Sequence, residues 1–315
     1  MKIKFFALIS VLFFVSEVSS VKGCVLSQIQ DSIKYMPFTS ASGLTIVVKA
    51  TFDSNKSGDF ILDSGGGITL VIDSSFFYEN VDATNLVQVI PRGNMYYWRT
   101  YYEGDINVSI GYHQFKVSRI EVRSWTTPHD GDENIKGIIG EAAFLNKITV
   151  INMEKSEIAF VDSIIVDSTY HAIPLHKPLN ETKKHLKHQR YVQIGGFTDK
   201  KGNKKSGSFL FDTGNARTGI VLKTSFAANL DFSKNKVEHL VESGYYRWYQ
   251  NVMIDNRFEA TKVPIRRVSS KIFDEYERLV HGDGLLGMPL LQRYNIIADY
   301  KNDILYLQPI KNDIF

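Results

Sequence analysis

Apolar residues recur along this chain in short runs of strand length rather than at helical period. Residues 44–52, 59–62, 68–72, 106–110, 115–122 and 148–151 are rich in β-branched and aromatic side chains, the types that suit a half-buried pleated surface. Sustained 3.6-residue periodicity is scarce, so the pattern predicts an all-β fold with a few short helices. Helices are expected at residues 74–78, 141–146, 273–280 and 289–293, with Gly282 and Gly287 as punctuation near the last two. The remainder reads as turns between strands.

The same pattern is written twice. Phe60-Ile61-Leu62 leads into Asp63-Ser64-Gly65, and Phe209-Leu210-Phe211 leads into Asp212-Thr213-Gly214, 149 positions later. Tyr96-Tyr97 falls on Tyr245-Tyr246 at the same shift. Gly137-Ile138-Ile139-Gly140 answers to Gly284-Leu285-Leu286-Gly287 at a shift of 147, and residues 156–161 answer to 302–307 at 146. Elements kept in one order at nearly one offset indicate duplication of a unit of roughly 120 residues, an ordinary domain size. The expected architecture is therefore two β-barrel lobes related by a pseudo-twofold axis, with a cleft between them.

Length supports two lobes, since 315 residues with 43% apolar content can bury sizeable cores. Residues 1–23 read as a secretory signal, with Lys2 and Lys4 ahead of an apolar stretch and small or polar residues after it. That stretch is shorter than the roughly 18 apolar residues of a membrane helix, and no later run approaches that length. Removing the segment takes away three Lys and one Glu and lowers the formal charge from +3 to +1, so no polyanionic partner is implied. The single cysteine, Cys24, excludes an internal disulfide and favours bacterial export. Val21-Lys22-Gly23-Cys24 loosely resembles a lipoprotein cleavage site, from which Lys22 departs. A lipid-anchored Cys24 and an unmodified one both stay open. The protein is thus expected in the periplasm, on the outer membrane or outside the cell. The sequons at Asn55, Asn107 and Asn180 matter only in a glycosylating pathway.

The expected divisions are a signal over residues 1–23, a lead segment over 24–42, a first lobe over 43–165, a connection over 166–189 and a second lobe over 190–315. The connection holds Pro174, Pro178 and a basic run, together with His171, His176, His185 and His188. No cysteine or close carboxylate cluster accompanies these histidines, so they read as part of a solvated linker, and no metal or cofactor is expected.

The two triplets and their distal partners resemble the bilobed pepsin-like aspartic proteases, in particular compact bacterial members with retropepsin-like lobes. The resemblance covers roughly residues 43–310. It rests on Ile61-Leu62-Asp63-Ser64-Gly65 with Ile138-Ile139-Gly140, on Leu210-Phe211-Asp212-Thr213-Gly214 with Leu285-Leu286-Gly287, and on a closing strand pair at residues 294–308. It implies an aspartic endopeptidase acting on extended polypeptide, with Asp63 and Asp212 as the catalytic pair. Two carboxyls held close share a proton, so one can activate water while the other protonates the scissile carbonyl. Gly65 and Gly214 would let backbone amides approach the carboxylates, and Ser64 and Thr213 would hydrogen-bond across the lobes. One copy of such a triplet would read as a tight turn whose Asp accepts backbone hydrogen bonds. Two copies in register favour chemistry, and because one chain carries both halves a monomer suffices.

The resemblance also implies a hairpin flap bearing an aromatic residue. Tyr96, Tyr97 and Trp98 stand where it begins, with Gly104 expected at its tip; ordinary cross-strand packing is the competing reading. Several positions depart from the family pattern. Gly66-Gly67 and Asn215 follow the triplets, and the Asn215 side chain is expected near the carboxyl pair. Glu141 after Gly140, and Asn152-Met153 in place of Asp299-Tyr300, are expected to lie away from the cleft and to matter little. Only about 20 residues separate Cys24 from the first strand, too few for a long basic prosegment. A non-catalytic descendant binding peptide or glycan in the same cleft is the alternative function, and a structural surface module the third.

Overall fold

The computed structural model describes residues 33–41, 44–53, 56–66, 70–81, 83–89, 99–124, 134–178, 188–233, 235, 237–240, 245–268 and 281–310. Two short strands, β1 (Met36–Pro37) and β2 (Thr39–Ala41), lead into the first lobe. That lobe comprises β3 (Thr45–Phe52), β4 (Ser57–Leu62), β5 (Leu70–Asp73), helix α1 (Ser74–Asn80), β6 (Leu86–Val89), β7 (Arg99–Ile110), β8 (His113–Arg123) and β9 (Ile135–Ile139). Strands run in the order β3-β4-β9-β5-β8-β7, and β7 pairs back on β3 through Thr51 with Ser109 and Phe52 with Val108. The sheet therefore closes into a six-stranded barrel and leaves its edges paired.

Between the lobes come β10 (Ile148–Asn152), β11 (Glu157–Val161) and β12 (His171–Pro174). The second lobe repeats the first with β13 (Tyr191–Thr198), β14 (Lys204–Phe211), β15 (Ile220–Leu222), helix α2 (Thr224–Ala227), β16 (Glu238–Leu240), β17 (Tyr245–Ile254), β18 (Phe258–Val268) and β19 (Gly284–Leu286). Its barrel runs β13-β14-β19-β15-β18-β17, closed by pairing of β13 with β17. Helix α3 (Met288–Leu291), β20 (Tyr294–Asp299) and β21 (Ile304–Pro309) end the described chain. The expected all-β, two-barrel fold is what the structure shows.

A matching aromatic trio fills each barrel beneath its helix. Phe52, Phe60 and Phe76 lie with ring centroids 5.2–5.7 Å apart, and Phe197, Phe209 and Phe226 at 5.5–5.9 Å. Phe60 and Phe209 stand at the same repeat shift as the triplets they precede. Asp73 caps α1, its Oδ1 accepting from the N–H groups of Ser75 at 3.0 Å and Phe76 at 3.3 Å, which sets Phe76 and Phe77 into the core.

A third sheet of six strands, β1-β11-β10-β20-β21-β12, joins the lobes. At its centre β10 pairs antiparallel with β20, placing Val150 opposite Ile297. Those two residues are 147 positions apart, the shift that relates Gly140 to Gly287, so the pseudo-twofold axis passes through this pair. The segment expected as a solvated connection takes part as well. His171–Pro174 forms β12 on β21, and Lys177 Nζ binds Asp303 Oδ2 at 3.0 Å.

Three local expectations are corrected. Residues 141–146 form no α-helix; Glu141–Ala143 makes a single 3₁₀ turn closed by Phe144 N–H on Glu141 O. The predicted helix at 289–293 is the four-residue α3, with Pro289 in its first turn, where a missing N–H costs nothing. Gly104 is not a hairpin tip. It lies inside β7 at a register shift between Tyr102 and Asp105, where a Cβ would sit 2.5 Å from the Tyr102 ring. The helix expected at 273–280, the signal, Cys24, Asn55 and Asn180 lie outside the described residues.

Candidate active site

Each triplet emerges where two parallel strands end side by side. β4 runs parallel to β9, and Asp63 N–H donates to Ile139 O at 2.8 Å. In the second lobe β14 runs parallel to β19, and Asp212 N–H donates to Leu286 O at 3.0 Å. The apolar-apolar-Gly segments of the sequence are these partner strands. They fix the point at which the backbone leaves the sheet and turns toward the other lobe.

The hydroxyl residues then lock the two turns together. Ser64 N–H donates to Thr213 Oγ1 at 3.0 Å, and Thr213 N–H donates to Ser64 Oγ at 3.1 Å. Ser64 Oγ donates onward to Phe211 O at 2.9 Å, and Thr213 Oγ1 to Leu62 O at 2.7 Å. Both side chains are buried, and each hydroxyl is used once as donor and once as acceptor. Four hydrogen bonds thus satisfy three buried polar groups of each lobe with groups of the other, and each would be costly to leave unpaired.

This lock brings the carboxyls of Asp63 and Asp212 into hydrogen-bond contact with each other. Asp63 Oδ1 accepts from Gly65 N–H at 2.9 Å and Gly66 N–H at 2.8 Å, while Asp212 Oδ1 accepts from Gly214 N–H at 3.0 Å. The glycines permit this approach. A Cβ on Gly65 would stand 2.5 Å from Asp212 Cγ, and one on Gly214 would stand 2.6 Å from Asp63 Oδ2. Burial, the adjacent Asp63 charge and the hydrogen bond to it hold the Asp212 carboxyl well above the usual carboxylate range, against the opposing pull of the Gly214 and Asn215 amides. Two carboxyls in hydrogen-bond contact need one proton between them, so they titrate as a pair.

Other predicted residues fall elsewhere. The Asn215 side chain turns from the carboxyls. Its Oδ1 accepts from Arg217 N–H at 3.4 Å, and its Nδ2 lies where a Cβ on Gly287 would approach to 2.7 Å. Only its backbone serves the site, taking Met288 N–H on its carbonyl at 2.8 Å. Tyr96, Tyr97 and Trp98 lie outside the described residues, between the paired strands β6 and β7, whose register runs from Leu86 with Tyr102 to Val89 with Arg99. Their second-lobe counterparts act in packing. Tyr246, which answers to Tyr97, lies under the Arg267 guanidinium at 4.4 Å, and the neighbouring Trp248, which answers to Arg99, is buried against Phe232 at 4.8 Å with Nε1 donating to Gln250 Oε1 at 3.2 Å.

The histidines of the connection show no common focus. His171 stacks on Phe258 at 5.1 Å, His176 bridges Tyr191 through backbone, and His185 lies outside the described residues. Among the described residues no group of three or more His, Cys, Asp or Glu is arranged to hold a metal ion.

Sequence reasoning misjudged the region behind Ser64. Tyr300, which follows the Asp299 turn at the end of β20, is buried with its ring stacked on Phe144 at 5.6 Å and the Arg190 guanidinium 5.2 Å above it. Its hydroxyl lies against Ser64, and the charges of Arg190, Glu141 and Asp63 all bear on it. Glu141 is likewise buried. The signal that marks them is a flaw in the repeat, since their counterparts at a shift of 147 are Met153 and Met288.

No family model matches the sequence, and no curated protein matches it. Among solved structures the fold is similar to an aspartic proteinase from Irpex lacteus, at 15% identity and a TM-score of 0.56, covering 89% of this chain and 98% of that one. At that identity the likeness speaks for the fold alone.

Proposed function

We propose that the chain is an exported aspartic endopeptidase in which Asp63 and Asp212 activate water for peptide-bond hydrolysis. The observation that carries this reading is the contact between two carboxyls, one from each lobe, whose surroundings favour a single shared proton. Asp212, holding the proton, is suited to protonate the scissile carbonyl oxygen. Asp63, fixed by the amides of Gly65 and Gly66, is suited to take a proton from the attacking water. The water oxygen bonds to the carbonyl carbon, giving a neutral gem-diol. Asp63 then gives its proton to the amide nitrogen while one gem-diol hydroxyl returns a proton to Asp212; the C–N bond breaks, a carboxylic acid and an amine leave, and the pair is restored. An extended polypeptide fits a cleft between two barrels, and the signal-like leader supports export. The fold likeness to a proteinase supports the same chemistry.

The test is cleavage of a peptide library by the mature protein from about pH 3 to 8, beside Asp63→Asn and Asp212→Asn. Either substitution is expected to lower kcat/KM by about 10²–10⁴-fold, the usual worth of a general acid or base. If the wild type cuts nothing yet binds peptides bearing a hydroxyl in place of the attacked carbonyl, the protein is a peptide-binding descendant of the fold and the reading is wrong.

A further inference from the structure

Behind the carboxyl pair the pseudo-twofold symmetry breaks on one side. The repeat shift that superposes Gly140 on Gly287 sets Glu141 against Met288 and Tyr300 against Met153. Two apolar residues serve one half, and a buried acid and a buried phenol serve the other. Both lie on the side of Ser64 and Asp63.

Packing alone does not call for the hydroxyl. Phenylalanine would fill the same space between Phe144 and Arg190, and a buried hydroxyl short of a good partner is a liability. The Tyr300 hydroxyl is buried and makes no well-directed hydrogen bond among the described residues, although it lies close enough to Ser64 to exchange one. Such contacts commonly tighten only when substrate is bound. The direction of the bond is fixed by what Ser64 already does. Ser64 Oγ spends its proton on Phe211 O and accepts from Thr213 N–H, so a further hydroxyl reaching it must donate.

We propose that Tyr300 is a positioning residue of the carboxyl pair, acting through Ser64, and that with Glu141 it makes the two acids inequivalent. Burial raises the proton affinity of the phenol, so it remains a donor wherever an acid protease works. A donor aimed at Ser64 favours negative charge on the Asp63 side. Glu141 opposes it, being an acid whose charge reaches the same hydroxyl. Arg190 completes the surroundings, its guanidinium over the Tyr300 ring and its Nε bound to Asp303 Oδ1 at 2.6 Å, with Lys177 on the other Asp303 oxygen. The residues at the equivalent positions, Met153 and Met288, carry neither a charge nor a hydroxyl.

The inference rests on the proposed protease reading for its activity readout, and two measurements separate the failure of one from that of the other. The first is the pH profile of kcat/KM for wild type, Tyr300→Phe, Glu141→Gln and, as a mirror-side control, Met153→Leu. Losing one neutral donor should move the acidic limb of Tyr300→Phe up by roughly 0.5–1 pH unit. Glu141→Gln should move it down, and Met153→Leu should leave it in place. The second needs no catalysis: the stability lost through Tyr300→Phe should be greater at about pH 6.5 than at about pH 3, and that pH dependence should vanish in an Asp63→Asn background. An active, dyad-dependent enzyme whose Tyr300→Phe profile overlays the wild type overturns this inference and leaves the protease reading standing. An inactive wild type overturns the protease reading, and the stability measurement then decides for or against Tyr300 alone.

Discussion

Asp212 makes the stability of this protein depend on pH in a direction opposite to that of an ordinary salt-bridged carboxylate, and replacing it with Asn exposes the effect. In an unfolded chain an aspartate titrates near 3.9. In the folded chain burial and Asp63 raise the Asp212 value well above that range. Below about pH 3.9 both states hold the proton and the contribution to stability is complete. As pH rises, the unfolded chain ionises while the native pair retains its proton, and stability is lost until the native value is reached. The loss is about 1.4 kcal/mol for each pH unit between the two values. Asn keeps an acceptor for Gly214 N–H and a donor toward Asp63, yet cannot ionise. Equilibrium urea unfolding of wild type and Asp212→Asn at pH 3.5, 5 and 6.5 should therefore show the variant gaining on the wild type over that series. Carboxylates outside the pair are common to both proteins and cancel. A stability difference that stays constant across the three pH values would refute the shared-proton arrangement, whatever the enzyme assays showed.

Two further outcomes follow from the lock between the triplets. Thr213→Val removes the partner of Ser64 N–H and of Leu62 O, both in buried surroundings, and should cost about 4 kcal/mol in urea unfolding, while Thr213→Ser should cost about 1 kcal/mol. Gly65→Ala places a methyl 2.5 Å from Asp212 Cγ and forces the carboxyls apart; kcat should fall by about 10²-fold with KM little changed, as steady-state kinetics on a peptide substrate would show.

The barrels were legible because the evidence for them is local and doubled. A run such as Phe60-Ile61-Leu62 says strand by composition, and its return as Phe209-Leu210-Phe211 says which strand answers to which. The triplets carried their own context in the same way, since each has a distal apolar-apolar-Gly segment that the fold sets beside it. What stayed hidden was decided by torsion angles or by contacts far along the chain. Asn215 has the right position to reach the carboxyls, yet its side chain rotates toward Arg217 and Gly287, and no neighbour in sequence dictates that choice. Gly104 looked like a turn because glycine between charged residues usually marks one, but in a long hairpin it relieves a bulge instead. Glu141, and Asn152-Met153 in place of Asp299-Tyr300, read as minor departures because the surface that joins Glu141 to Tyr300, behind Ser64, exists only once both lobes have folded against each other.

The pairing of Val150 with Ile297 has a meaning for the history of such a chain. A contact between equivalent positions across a twofold axis is what two identical half-length chains would make on associating. Joining the halves removes the concentration dependence of that association, because the partner is always present at the effective concentration set by the tether. It also lifts a restriction that identical subunits cannot escape. Any substitution in a homodimer appears on both sides of the axis at once, whereas a fused chain can change one side and spare the other. Glu141 and Tyr300 opposite Met288 and Met153 are changes of that kind, and they became available only when the two copies were free to diverge.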